Sequence, residues 1–152
     1  MQLLTDDIIQ FFARQGFVIV STIDSGGMPH TSCKGIVKIE QDKIYLLDLY
    51  KAATYDNLKK NPKISLTAVD EHKFRGYCIK GRASILKASQ IKSHIIKTWE
   101  DKITTRVRNR ILKNIRGEKG HPKHPEILLP KPEYLIAVDV EKTVNLTPHA
   151  LK

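Results

Sequence analysis

Residues 50–54 carry side chains that could bind an anion. Lys51 offers a positive charge and Thr54 offers a hydroxyl donor. The pattern of residues 52–60 predicts a short helix that stops before Pro62, because proline restricts the backbone of the residue preceding it. The N–H groups at the start of a helix attract negative charge. This segment is therefore a candidate site for the phosphate of a ligand.

Two other patterns could do chemistry, but each lacks a necessary part. His121 and His124 have the His-x-x-His spacing of some metal sites, yet the prolines around them prevent the regular helix that would bring the two imidazoles together. No serine, cysteine or lysine nucleophile has a base at a fixed spacing. Cys33 and Cys78 are too few for a disulfide scaffold and are most simply small core residues. We therefore expect no metal site and assign no catalytic residue.

Positive charge is concentrated in one part of the chain. The 152 residues carry a formal charge of +10, and residues 87–131 hold 12 Lys or Arg against 4 Asp or Glu. Such a segment attracts nucleic acid, an anionic membrane surface or a phosphorylated small molecule, although a solvated helix face is the simpler interpretation. Trp99 is the one aromatic residue of the segment, so a stacking platform for single-stranded nucleic acid is not evident.

The sequence also carries information on cellular location. No apolar run approaches the roughly 20 residues that a membrane span requires. Residues 1–7 contain two acids and no basic region, unlike a secretory signal. We expect a reduced, cytoplasmic protein with no membrane partner.

The order of predicted elements indicates a mainly β protein. Apolar runs between turn residues predict five strands before residue 87 and a closing strand, with short helices before the first strand and after the third. Apolar residues recur every four positions from Ile91 to Ile115, a row that drifts by about 40° per step around a straight helix. One long helix and two helices broken near residues 101–105 are therefore equal alternatives. Sequential strands with tight turns imply an antiparallel β-barrel with helices.

At this length we expect one domain, residues 1–152. It would consist of a barrel core at about residues 8–86, a closing strand at about 133–146 and a basic helical insertion at about 89–116.

Three stretches also carry a family pattern. Residues 17–23 are followed by Gly-Gly-Met-Pro-His-Thr-Ser at 26–32. Together they read as a strand, a glycine turn and a second strand that begins Pro-His-x-Ser. Residues 57–66 read Asn-Leu-Lys-Lys-Asn-Pro-Lys-Ile-Ser-Leu, a helix end that runs into a strand. Residues 77–83 read Tyr-Cys-Ile-Lys-Gly-Arg-Ala, a strand with an x-x-Gly-x-Ala ending. In this order and spacing, the stretches resemble the pyridoxamine 5'-phosphate oxidase-like split-barrel family.

The resemblance implies a six- to seven-stranded Greek-key-type barrel that binds flavin mononucleotide (FMN) at the interface of a homodimer. By position, it places the phosphate near Ser32, Lys51, Thr54 and Asn57. It places the ribityl chain or the isoalloxazine ring near Cys33, Lys34, Gly35 and Tyr50.

The resemblance further implies an FMN-dependent oxidoreductase acting on a small molecule. A non-enzymatic nucleic-acid-binding barrel is the alternative that the basic segment favours. A haem-binding or deazaflavin-binding member of the same fold is a third interpretation, because one scaffold carries many functions.

Overall fold

A computed structural model describes residues 2–48, 51–118, 120 and 133–152. In chain order the elements are α1 (Asp6–Ala13), β1 (Val18–Ile23), β2 (Pro29–Glu40), β3 (Lys43–Leu47), α2 (Ala53–Lys60), β4 (Lys63–Asp70), β5 (Arg75–Lys87), α3 (Ser93–Ile115) and β6 (Tyr134–Asn145), with 3-10 turns at Ala88–Gln90 and His149–Leu151.

Six strands form a closed antiparallel barrel. The order around the barrel is β1-β2-β3-β6-β5-β4, and β4 pairs with β1 to complete it. The hairpin between β1 and β2 pairs Val18 with Lys34 and Ile23 with Pro29, so the glycine turn lies where the sequence places it. The mainly β barrel predicted from the sequence is confirmed, with six strands.

The barrel interior is filled by alternate residues of each strand. Val18 and Val20 of β1, Leu66 of β4 and Ile79 of β5 are almost completely buried, because successive side chains of a strand point to opposite faces. Phe12 of α1 is buried in the same core and brings that helix onto the barrel.

Gly81 lies at a close approach between the backbones of β5 and β6. A Cβ atom at this position would lie 2.1 Å from the carbonyl oxygen of Asp139. The register of the two strands shifts between Lys80 and Gly81, as a β-bulge does. The absence of a side chain at Gly81 therefore allows the two backbones to meet.

A second core lies outside the barrel, beneath the first half of α3. Ile95 and Trp99 are buried there against Val37 of β2 and Leu135 of β6. A register shift in β2 between Ile36 and Lys38 accompanies the burial of Val37 in this outer core. This second core positions α3 alongside β2.

The α3 helix is continuous over 23 residues. Of the two alternatives that the spacing left open, one long helix is the one observed. Its apolar row winds away from the barrel, because a step of four residues rotates the row by about 40°. Ile95 is completely buried, whereas Ile111 is 54% exposed and Ile115 is 76% exposed.

Candidate functional site

The start of α2 meets the middle of β2 through two hydroxyl groups. The Oγ of Ser32 and the Oγ1 of Thr54 are 2.8 Å apart and hydrogen-bonded, although 22 positions separate them in the sequence. Thr54 is buried and Ser32 is half-buried. Two of the residues predicted around a phosphate are therefore brought together at a helix N-terminus.

The N-terminus of α2 has no side-chain cap. Ala52 occupies the N-cap position and makes no side-chain hydrogen bond to the first turn. The first N–H groups of a helix lack intrahelical partners, and a side-chain oxygen at the N-cap usually accepts from them. The first turn of α2 therefore presents backbone donors next to the Ser32 and Thr54 hydroxyls.

Lys51 lies beside this helix start, over two aromatic rings. Its Nζ is 5.6 Å from the ring centroid of Tyr55 and 5.7 Å from that of Tyr134. The two rings meet edge to face, with centroids 5.1 Å apart. Lys59, near the other end of α2, lies over Tyr55 at 5.1 Å. Cation–π contacts of this kind hold an ammonium group near a ring without neutralising its charge.

Asp48 is the centre of a buried ionic cluster below the same site. Its Oδ1 accepts from Nζ of Lys34 in a salt bridge, and its Oδ2 accepts from the hydroxyl of Tyr134 at 2.6 Å. The Asp48 side chain is 1% exposed and the Lys34 side chain is 14% exposed. Burial, followed by the hydrogen bond to Asp48, raises the pKa of Tyr134. The Asp48 carboxylate is thus satisfied by partners within the fold.

Asn57 faces the barrel wall. Its Nδ2 donates to Oγ1 of Thr22 at 3.0 Å, and both residues are buried. This hydrogen bond fixes the first turns of α2 against β1. The role of Asn57 near a phosphate stays a prediction.

The remaining predicted residues lie along β2, on both of its faces. Ser32 and Lys34 point towards the α2 side, where their partners are Thr54 and Asp48. Cys33 is exposed, so its interpretation as a small core residue is wrong. By strand alternation it belongs to the other face with Gly35. Tyr50 lies outside the described residues, so its predicted place near the ring stays a prediction.

A groove of about 570 Å³ runs along the second face of β2, between this strand and α3. Cys33, Lys34 and Gly35 line its barrel side, and Arg106 and Arg110 are among the residues of its helix side. The sequence pattern identified α3 as basic but gave no reason to place its distal half beside Gly35. That juxtaposition depends on the second core, which involves strands far apart in the chain.

Tyr134 is a site residue that local sequence patterns missed. It is the first residue of the closing strand, and its partner Asp48 is 86 positions away. A buried acid next to a strand end is a signal that some partner must exist, but nothing in the sequence identifies which residue provides it.

The described residues offer no metal site. Within the described ranges, no three His, Cys, Asp or Glu side chains are close enough to hold an ion together. His121 and His124 lie outside those ranges. In the described part of the chain, no helix combines the length and apolar character needed to cross a bilayer.

The sequence matches a known family. The sequence model of the pyridoxamine 5'-phosphate oxidase family matches residues 4–129. No curated protein matches the chain.

Solved structures with a similar fold include proteins of different function. HupZ from Group A Streptococcus is 19% identical with a TM-score of 0.63, covering 95% of this chain and 94% of that chain. HutZ, the haem storage protein from Vibrio cholerae, is 18% identical with a TM-score of 0.55, covering 95% and 94%. An F420 reductase is 13% identical with a TM-score of 0.56, covering 89% and 94%. These likenesses show the split-barrel fold alone.

Proposed function

Because the chain belongs to the pyridoxamine 5'-phosphate oxidase family, we propose that it binds FMN and acts as an oxidoreductase on a small molecule. The family membership confirms the resemblance drawn from the three sequence stretches. FMN, the reaction and the homodimer are the parts that we infer.

The observation that carries the proposal is the convergence of donors at the start of α2. Ser32 and Thr54 bring two hydroxyl groups to an uncapped helix N-terminus, and Lys51 adds a positive charge beside it. A phosphate ester requires this combination of N–H or O–H donors and positive charge. The residues present therefore fit the phosphate of FMN.

Asp48 does not disturb this arrangement. A carboxylate near a phosphate would repel it if its charge were exposed, but Asp48 is buried and paired with Lys34 and Tyr134. In the proposal, Lys34 serves two purposes. Its ammonium group compensates Asp48, and its backbone lies with that of Cys33 and Gly35 along the edge of the isoalloxazine ring.

The bound flavin would supply the redox chemistry. The chain's own residues would bind and orient it: Ser32, Lys51 and Thr54 at the phosphate, with Asn57 holding α2 in place through Thr22. Cys33, Lys34, Gly35 and Tyr50 would form the surroundings of the ring and exclude water from one side of it.

A homodimer is part of the proposal. A mainly apolar band lies on the outer surface of the barrel, where the strand register aligns Ile19 with Thr67 and Cys78 with Val144. Ile19 is 38% exposed, and Val69 nearby is 59% exposed. Exposed apolar patches of this kind mark interaction surfaces. Members of this family are commonly dimeric, so we assign the band to a second copy of this chain.

We place the protein in the cytoplasm. Cys33 and Cys78 are both unpaired in the described structure, which suits a reducing compartment.

The test is the visible spectrum of the purified protein, followed by titration with FMN and with riboflavin. We expect flavin absorbance, or saturable FMN binding, and tighter binding of FMN than of riboflavin. Lys51→Ala should lower the affinity for FMN by about tenfold and leave the affinity for riboflavin almost unchanged, since a charge-assisted contact to the phosphate is lost.

Lys59→Ala is the matched control. Both lysines contact the ring of Tyr55, so the control removes a similar cation–π contact at the far end of α2. Lys51→Ala could lower the affinities for FMN and riboflavin equally, or the two variants could lose equal affinity for FMN. Either result would show that Lys51 does not contact the phosphate. If the protein does not bind FMN, a Soret band would identify the ligand as haem, and selective binding of F420 would identify it as a deazaflavin.

A further inference from the structure

A cavity of about 400 Å³ lies between the end of α1 and the middle of α3, within the size range of small-molecule sites. One wall is formed by residues 13–16, at the end of α1 and just after it, and the other by α3. The charged residues among its described walls are Arg14, Asp101, Lys102 and Arg106. None of them belongs to the proposed flavin site, so the cavity is a separate candidate for chemistry.

Lys102 carries the nucleophilic group of this cavity. Its side chain is half-buried, and its Nζ donates to the carbonyl oxygen of Ile36 at 2.9 Å. In the described part of the chain, no carboxylate comes within salt-bridge distance of this nitrogen. An ammonium group that is partly removed from water and has a neutral oxygen as its partner is disfavoured relative to the neutral amine.

Arg106 strengthens this effect, because it places a second positive charge one helical turn away. Its guanidinium donates to the carbonyl oxygen of Gly16 at 2.8 Å, across the same cavity. Burial lowers the pKa of Lys102, and the nearby charge of Arg106 lowers it further. Desolvation and a neighbouring cation are two arrangements by which proteins keep a lysine amine neutral and nucleophilic.

We propose that Lys102 forms an imine with a small carbonyl compound that carries a carboxylate, such as a 2-oxo acid, bound in the cavity between α1 and α3. The neutral amine attacks the carbonyl carbon, so that a C–N bond forms and the C=O bond breaks. The oxygen leaves as water with the two hydrogens of the amine. No oxidant or reductant is consumed, and the proposal does not rest on the binding of FMN.

The charges of the cavity favour an anionic carbonyl compound over a neutral one. When the amine of Lys102 is neutral, the guanidinium groups of Arg14 and Arg106 face one carboxylate, that of Asp101. Two positive charges and one negative charge leave one net positive charge, which a single carboxylate on the ligand would balance. Guanidinium groups bind carboxylates through charge-assisted hydrogen bonds.

Reductive trapping with glyoxylate and sodium cyanoborohydride tests the proposal on the full-length protein. The reagent reduces an imine to a stable secondary amine, and peptide mass spectrometry locates the labelled lysines. At neutral pH we expect Lys102 to be labelled before the exposed lysines, since a larger fraction of its side chain is the neutral amine. Lys102→Arg should lose this fast labelling, because arginine keeps the charge and the donor but is not deprotonated in proteins.

Lys97→Arg is the matched control, because Lys97 is an exposed lysine of the same helix that does not line the cavity. It should keep the fast labelling. Labelling spread evenly over the exposed lysines of the wild type would overturn the site, and this result requires no variant to fold. Fast labelling that persists in Lys102→Arg would overturn it as well.

Arg14→Gln tests the preference for a carboxylate, and the residue is exposed. This variant should slow the labelling of Lys102 by glyoxylate about threefold, the effect of losing an exposed charge contact. Labelling by acetaldehyde, which has no carboxylate, should keep its rate. Equal rates for glyoxylate in the wild type and in Arg14→Gln would overturn the assignment of an anionic ligand to this cavity.

Repeating the labelling with saturating FMN separates this proposal from the previous one. We expect the flavin to leave the labelling of Lys102 unchanged. Protection of Lys102 by FMN would show that the cavity is part of the flavin site and would overturn a separate site. Selective labelling of Lys102 in a protein that does not bind FMN would support the imine and reject the flavin.

Discussion

The hydroxyl of Tyr134 donates a 2.6 Å hydrogen bond to Oδ2 of Asp48, and so ties the first residue of β6 to the end of β3. Lys34 of β2 completes the cluster through its salt bridge to the same carboxylate. The three side chains link three neighbouring strands directly beneath the proposed phosphate site. The stability of the barrel and the shape of the site therefore depend on the same few groups.

Asp48→Asn should destabilise the protein by about 3 kcal/mol, because it leaves the mostly buried ammonium of Lys34 without a negative partner. Urea unfolding would measure the loss. The double variant Lys34→Met with Asp48→Asn should recover most of it, since the uncompensated charge is then absent. Additive losses would show that the pair does not couple.

Tyr134→Phe should change the response of stability to alkaline pH. The folded-state pKa of Tyr134 is raised, so the folded protein keeps a proton that the unfolded chain releases above a pH of about 10. The stabilisation is fully present below that pH and is lost as the pH rises through the folded-state pKa. Between the two values, the free energy of unfolding should fall by about 1.4 kcal/mol per pH unit more in the wild type than in the variant.

The control for this experiment is Tyr55→Phe, which leaves the bond between Tyr134 and Asp48 in place. Its free energy of unfolding should still fall more steeply with alkaline pH than that of Tyr134→Phe. If the free energy of unfolding falls equally with alkaline pH in all three proteins, the fold does not hold the hydroxyl of Tyr134 in its protonated form.

Gly81→Ala should prevent normal closure of the barrel. The new Cβ would meet the carbonyl oxygen of Asp139 at 2.1 Å, and backbone on both strands would have to move, at a cost of about 3 kcal/mol or more. Gly16→Ala is the control, because a Cβ there has nothing within 4 Å. That variant should stay within about 0.5 kcal/mol of the wild type. Similar melting temperatures for the two variants would contradict the expected clash.

Val69→Lys should convert the proposed dimer into monomers without unfolding it, because a lysine in a desolvated apolar band carries an unpaired charge. Analytical ultracentrifugation gives the mass, and circular dichroism checks the fold. Met28→Lys replaces an apolar residue of similar exposure (65% against 59%) at the turn between β1 and β2. It should remain dimeric. A monomeric wild type, or a dimeric Val69→Lys variant, would reject the proposed interface.

Local signals predicted much of the barrel and part of the site. The glycine turn, the β-branched run before it and the proline after α2 each depend on neighbours in the chain, so the sequence reveals them directly. The position of Thr54 at the start of α2 follows from the same reasoning. Its contact with Ser32 agrees with the family resemblance, which placed both residues around one phosphate.

Contacts between distant segments were not predictable in this way. The four-residue spacing of apolar residues could not decide whether α3 breaks. The continuity of the helix depends on how Ile95 and Trp99 pack against the second core, and the spacing does not reveal that packing. The link between Asp48 and Tyr134 depends on β6 returning to lie next to β3. Nothing local to either residue encodes that return.

The uncapped start of α2 has one more consequence. With Ala52 at its N-cap, the helix lacks a contribution that serine or aspartate would make in every state of the protein. A phosphate seated there would act as the missing cap, so opening of the helix and release of the ligand become linked equilibria. Amide protons of α2 should then exchange with deuterium more slowly as the ligand concentration rises, while those of distant strands such as β5 keep their rates.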